Sequence, residues 1–412
     1  MNELARAIPA HVRQDLVYDF DMYADPRLHL DPHEGLLALQ REAPPIFYTL
    51  RYGGHWVITR NTEIFEAMQD MELFSNRGAV IPPPPVEPPD GLPSRMIPVD
   101  VDPPDHEKYR KTLARVFSPK SVGELESDTR RLAVELIEKF KNQRECEFVR
   151  DVATPLPSLI FMKIMGMPSE LYEELAGWVD EFFGAADFAV SYSVLCRIDA
   201  YFEILIKERQ QAPEQLSKND IVSQLLAADI DGRKLRLDEI LAMCRLLFVA
   251  GLDTVTNTLA FTARVLAENP DLQRQLRDDP ALIPEAAEEI MRRTAVSNTL
   301  RRVGKDGLFH GVELHKGEQV LVCLPLAGLD DKAVEDPELV DFHRKLKNHF
   351  AFGAGPHRCL GSHLARVELR VFLEEWLKRI PAFGVKPDTT LRYRPGIVNA
   401  MIDLPLVWPT AA

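Results

Sequence analysis

Hydrophobic and polar positions along the chain follow two periods. Around residues 45–60 the runs Pro45-Ile46-Phe47-Tyr48-Thr49-Leu50 and His55-Trp56-Val57-Ile58-Thr59 are short, β-branched and aromatic, with Gly53-Gly54 between them, which predicts a hairpin. Residues 82–104 carry ten prolines. Proline lacks the donor that a helix interior or a central strand needs, so this stretch predicts a long irregular loop, either a linker or a substrate-facing wall. Beyond it, apolar residues recur every three to four positions and predict helices over 104–117, 122–142, 169–183 and 190–211. From Leu237 to Glu268 there is no proline and a single glycine, Gly251, until Asn269-Pro270 ends the run. About 30 residues at 1.5 Å each make a rod of roughly 45 Å, long enough to cross a domain. The pattern is mainly helical with a small β region and no internal repeat.

Length and charge narrow the class. A chain of 412 residues can bury about three quarters of its unfolded surface even as one domain, so a deep, dry interior is expected. The net charge of -14 works against nucleic acid or an anionic membrane as partner, because phosphate repels a negative surface. Residues 1–25 are broken by Arg6, His11, Arg13 and Asp15 and form neither a signal segment nor a membrane span; they are expected to be an N-terminal extension. The cysteines are odd in number and far apart, which fits a reducing, cytoplasmic setting. Four of them, Cys146, Cys196, Cys244 and Cys323, are expected to be small buried hydrophobes.

Cys359 is different. It ends the loop Phe352-Gly353-Ala354-Gly355-Pro356-His357-Arg358-Cys359-Leu360-Gly361, which feeds an amphipathic run over 362–378. Free backbone N–H groups and the positive helix end favour thiolate there, and the glycines allow a close approach that a Cβ would block. A zinc site from His357, Cys359 and His363 lacks a paired ligand motif, a dinucleotide loop would need glycine at position 358, and a thiol protease would need a supporting histidine constellation.

Phe352-x-x-Gly355-x-x-x-Cys359-x-Gly361 resembles the heme-binding signature of the cytochrome P450 family. Glu289-Ile290-Met291-Arg292 resembles the family's Glu-x-x-Arg motif, and Asp341-Phe342-His343-Arg344 its segment supplying a second arginine. The resemblance runs from about residue 15 to the C-terminus and is closest to soluble bacterial camphor-type monooxygenases, as in Gly396-Ile397-Val398 and Leu404-Pro405-Leu406-Val407-Trp408. It implies one mainly α domain over 1–412, a helical triangular prism with a small β-rich region, holding heme b with Cys359 as iron ligand. Glu289, Arg292 and Arg344 would then form a buried structural network; taken alone, Glu289 and Arg292 read as an exposed pair one turn apart.

Within the long helical run, Leu246-Leu247-Phe248-Val249-Ala250 gives way to Gly251-Leu252-Asp253-Thr254-Val255-Thr256-Asn257. Threonines at mid-helix compete for carbonyls one turn back, so a kink and a groove are expected, against a solvent-facing stripe as the plainer alternative. The resemblance makes Asp253 and Thr254 the catalytic pair, the alcohol beside dioxygen and the acid relaying protons. It assigns His106, Arg110, Arg301 and His357 to the heme propionates, whose charges need cationic partners if buried. It places Ser94, Val99, Leu246, Val249, Ile397 and Val398 around the substrate. Ser94 and Val99 depart from camphor-type residues, so a larger or less polar terpenoid, such as a norisoprenoid, is expected. Electrons are expected from a ferredoxin with its NAD(P)H-dependent reductase, docking at Lys108, Lys111, Arg115, Lys345 and Lys347. The protein is expected to be a monomer. Alternatives are a heme-thiolate peroxygenase, isomerase or dehydratase, and a non-enzymatic heme sensor or carrier.

Overall fold

The structure, a computed structural model, describes residues 7–82, 95–185, 187–211, 220–345 and 349–409. Ser94, Lys347 and most of the proline tract lie outside the described residues. In chain order the helices are α1 (Pro26–Leu30), α2 (Pro32–Glu42), α3 (Asn61–Gln69), α4 (Asp105–Ala114), α5 (Pro119–Glu138), α6 (Pro155–Met165) and α7 (Tyr172–Gly184). They continue with α8 (Phe188–Gln211), α9 (Ile221–Ala227), α10 (Leu237–Glu268), α11 (Pro270–Asp278), α12 (Ile283–Arg293), α13 (Leu324–Ala327) and α14 (Ser362–Arg379).

The hairpin forms where expected. Ile46–Thr49 pairs antiparallel with His55–Ile58, Thr49 opposite His55. The turn needs left-handed backbone at Tyr52, Gly53 and Gly54. Gln319–Val322 lies parallel to the second hairpin strand and antiparallel to Thr299–Val303, and Phe74–Ser75 closes the sheet. Residues 7–25 are no loose extension: Val12, Leu16, Phe20 and Met22 are buried, and Val17 bridges to Tyr48.

The predicted helices are all present, with ends moved by capping. The helix expected from residue 122 starts at Pro119, because the Ser118 hydroxyl accepts from Ser121 N and proline suits the first turn. Helix α6 carries no readable period because it is buried on nearly every side, from Pro155 to Met165.

Helix α10 joins two apolar cores. Its first part, Ile240 to Leu252, packs with Ile97, Phe161, Val194, Ile198 and Phe202. Its last part, Leu259 to Ala267, packs with Phe148, Ile290, Leu369, Phe372 and Trp376. The polar stretch from Asp253 to Asn257 therefore sits at the seam between them. The helix runs unbroken there. At Gly251 a Cβ would stand 2.5 Å from the Phe161 ring, so its place is set by the close approach of α6.

Candidate active site

The loop before α14 is built from backbone geometry. Cys359 N donates to Phe352 O at 2.8 Å, and Gly353 N donates to Phe350 O at 2.8 Å. Gly353 and Gly355 both have φ near 67°. A Cβ on Gly355 would lie 2.3 Å from Met68 O, so α3 braces the loop only if that residue is glycine. The Arg366 guanidinium lies over the Phe352 ring, 4.5 Å from its centroid. Arg110 donates to Arg358 O at 2.6 Å, tying α4 to the loop.

Cys359 keeps exposed surface, yet burial is the largest influence on its thiol and pushes it up. The Gly361 N–H and the charges of Arg110, Arg358 and Arg366 pull the other way. A residue both accessible and walled by protein borders an internal space. The expected preference for thiolate is thus outweighed in the protein alone, since α14 starts three residues later and burial disfavours the charge.

The facing wall has the same character. On α10, Leu246, Ala250, Thr254 and Thr258 keep accessible surface at four-residue spacing, while Val249, Leu252, Asp253 and Asn257 are buried. The loop meets the same seam, with Leu360 against one core and Phe352 against the other. Thr254 Oγ1 donates to Ala250 O at 3.0 Å, as its mid-helix position predicts, which leaves its lone pairs free to accept.

Asp253 does not belong to a solvent-facing stripe. Its carboxylate accepts from Asn257 Nδ2 at 2.9 Å and lies 3.4 Å and 3.5 Å from Arg394 Nη2. Arg394 also donates to the Asp180 main-chain oxygen at 3.2 Å and to its carboxylate at 3.3 Å. Burial pushes the Asp253 carboxyl up to about 6 against the pull of Arg394, with Asp180 raising it further.

The cationic candidates form a set. His106 and His357 lie with ring centroids 4.1 Å apart. Both His106 ring nitrogens, His357 Nε2 and Arg301 Nε are buried without a hydrogen-bond partner. Burial pushes His357 down to about 3, helped by the charges of His106, Arg301 and Arg110, and Arg301 down to about 10. Orphaned buried donors are costly unless something accepts from them, and a dianionic ligand supplies that. The residues present therefore fit heme, whose carboxylates the free nitrogens of His106, His357 and Arg301 would hold. Among the described residues no group of three or more His, Cys, Asp or Glu is placed to hold a metal, so the zinc alternative gains nothing.

Glu289 and Arg292 are fully buried, not an exposed pair. Arg292 donates to both Glu289 oxygens at 2.9 Å and 3.0 Å and to the carbonyls of Gly328, Pro337 and Leu339. Arg344 Nε adds a bond to Glu289 at 3.0 Å. Val249 lies in the first core; Val398 is buried in the second, against which Ile397 also packs. Val99 is 39% exposed. Cys146, Cys244 and Cys323 are buried as expected, but Cys196 is exposed on α8. Lys108 is not free for docking alone: it pairs with Asp105 and Asp231, each at 2.9 Å.

Fold and loop together define a heme-thiolate class of protein, and comparison with known proteins agrees. The family described as Cytochrome P450 is matched over residues 175–390. The probable cytochrome P450 127A1 of Sinorhizobium fredii is 33% identical, over 97% of each chain. The steroid C26-monooxygenase of Mycobacterium tuberculosis is 32% identical over 84% of this chain and 92% of its own. The crystal structure of CYP101J2 aligns with a TM-score of 0.87 at 35% identity, covering 98% of this chain and 100% of that one. The chain belongs to the cytochrome P450 family. It is a P450 monooxygenase, using O2 and a substrate and binding heme through an axial cysteine thiolate as the family does. Among the described residues no helix is long and apolar enough to cross a membrane.

The sequence did not point to Arg394, which reaches Asp253 from 141 residues away. Asn257 had a local signal, since a side chain one turn after an acid falls on the same helix face.

Proposed function

We propose that the chain hydroxylates a small hydrophobic substrate with O2 and two electrons delivered by a ferredoxin. The observation that carries this reading is the accessible Cys359 sulfur in a chain whose His106, His357 and Arg301 keep buried nitrogens without a hydrogen-bond partner. Cys359 would supply the thiolate that holds heme, with Phe352 beside it. His106, Arg110, Arg301 and His357 would hold its propionates. Heme held in this way would supply the activation of dioxygen, the net change being RH + O2 + 2e− + 2H+ → ROH + H2O. Thr254 offers acceptor lone pairs to the chamber because its proton is committed to Ala250 O. Asp253, with a proton affinity near neutrality, takes up and passes protons in reach of Arg394 and Asn257.

Leu246, Val99 and Ile397, which keep accessible surface, supply an apolar lining, with Val249 and Val398 buried in the two cores, and this favours a terpenoid such as a norisoprenoid. Likeness to CYP101J2 and to CYP101C1 supports a ferredoxin as donor. The steroid named for the Mycobacterium tuberculosis relative is the competing substrate class. Single-chain operation in the cytoplasm completes the reading.

The test is a titration of the ferric protein with terpenoids and steroids, followed by turnover with ferredoxin and reductase. A low-spin to high-spin change with terpenoids and hydroxylated product are expected. Absence of a response to any terpenoid would overturn the substrate class, and turnover from peroxide alone would overturn the electron route. Thr254→Ala should keep pigment yet divert electrons to peroxide.

A further inference from the structure

Arg245 is buried on α10, one turn before Val249 and next to Leu246. Its guanidinium spends its donors on two other parts of the chain. Nε donates to Asp199 of α8 at 2.8 Å, Nη2 donates to the second oxygen of the same carboxylate, and Nη1 donates to the main-chain oxygen of Arg95. Three elements meet at one side chain.

The segment held in this way carries Met96, Ile97, Val99 and Val101. Ile97 is buried in the core with Leu247, Phe248 and Val249, and Met96 and Val101 pack against it. The far end of the segment has its own anchors: Asn76 Nδ2 donates to Val99 O at 2.9 Å, and Asn76 N donates to Asp102 at 2.9 Å. Inside the segment, Met96 N donates to Asp100 at 3.0 Å and Arg95 Nε stands 3.8 Å from the same carboxylate. The near end is joined to the helical layer by the bond from Arg245. A carbonyl held by a planar fork that is itself locked on a carboxylate cannot drift without breaking a charge-assisted hydrogen bond.

We propose that Arg245 is a specificity-determining positioning residue: by fixing Arg95 O against α8 and α10 it sets how far the 95–101 wall stands from the chamber, and so limits the size of molecule admitted. This rests on the heme-chamber reading above. It touches neither substrate nor cofactor and acts through the wall.

The experiment uses the holoenzyme and a graded series of N-alkyl and aryl imidazoles, followed by the Soret shift in stopped flow. Two variants separate the tie from the ion pair. The double variant Arg245→Met with Asp199→Leu replaces a buried ion pair by apolar side chains, a change that keeps most folds stable, and removes the bond to Arg95 O. Asp199→Asn keeps that bond. In the double variant the bulkiest imidazole is expected to enter about tenfold faster while the smallest changes by less than about twofold, because only wall position limits large ligands. Asp199→Asn is expected to keep the wild-type size profile. An unchanged size profile in the double variant overturns the inference, as does the same loosening in Asp199→Asn. Failure of every imidazole to shift the wild-type Soret band would instead overturn the chamber reading itself.

Discussion

Replacing Arg394 by glutamine removes the guanidinium that lies against Asp253 and leaves a shorter, uncharged polar side chain. At 3.4 Å and an effective dielectric of 20 to 40, the attraction is about 2.5 to 5 kcal/mol. Glutamine and incoming solvent recover part of it, so a rise of one to two units, at about 1.4 kcal/mol each, is expected. The Asp253 carboxyl stands at about 6 with the arginine present. Without it, ionisation moves to about pH 7 to 8, and the acid stays protonated through neutrality. The assay is product formed per NAD(P)H consumed, measured across pH with the ferredoxin pair, beside difference infrared spectra of the protonated carboxyl. The acid-side limb is expected near pH 6 in the wild type, moved upward in Arg394→Gln and absent in Asp253→Asn. A limb that stays in place in Arg394→Gln, or moves down, would refute the reasoning.

Other expectations follow from burial. Glu289→Gln leaves Arg292 and Arg344 without their shared carboxylate and should cost about 3 to 5 kcal/mol in unfolding experiments, since breaking a buried pair strands a charge; a loss below about 1 kcal/mol would contradict the role given to that network. Arg301→Leu removes a buried guanidinium whose Nε has no partner and should speed heme transfer to apomyoglobin about tenfold, the scale of one charge-assisted bond; an unchanged rate would count against it as a propionate partner. Glu368 is buried, and burial alone pushes its carboxyl from 4.5 up to about 8. The folded chain then holds a proton that the unfolded chain has lost, so stability falls as pH rises between those values, by a few kcal/mol at order of magnitude. Glu368→Gln should flatten that fall in thermal scans, and a slope that persists would refute the assignment.

Local signals were legible because their causes are local. The loop ending at Cys359 needs glycine at 353 and 355 for left-handed backbone, so it could be read from neighbours in sequence, whereas the apolar period alone put a helix start at 122 and passed over the Ser118-Pro119 cap. Helix α6 hid its period by being buried all round. The tertiary reason for glycine at 251 was not legible, because the Phe161 ring that demands it lies 90 residues earlier. The same holds for the groups around the acid: Asp253 itself stood out in the text, but Asp180 and Arg394 meet it through tertiary packing that no window of sequence contains.

The junction of two cores at the middle of α10 has a consequence for how such a protein can diverge. Side chains on the Ile97 and Phe202 side pack around the first half of the helix, while those around Phe372 and Trp376 support the helix that follows the cysteine. Groups separated in this way exchange little strain, so changes in one half combine with changes in the other nearly additively. Apolar side chains of the first core can therefore be exchanged without retuning the packing behind the helix that follows the cysteine.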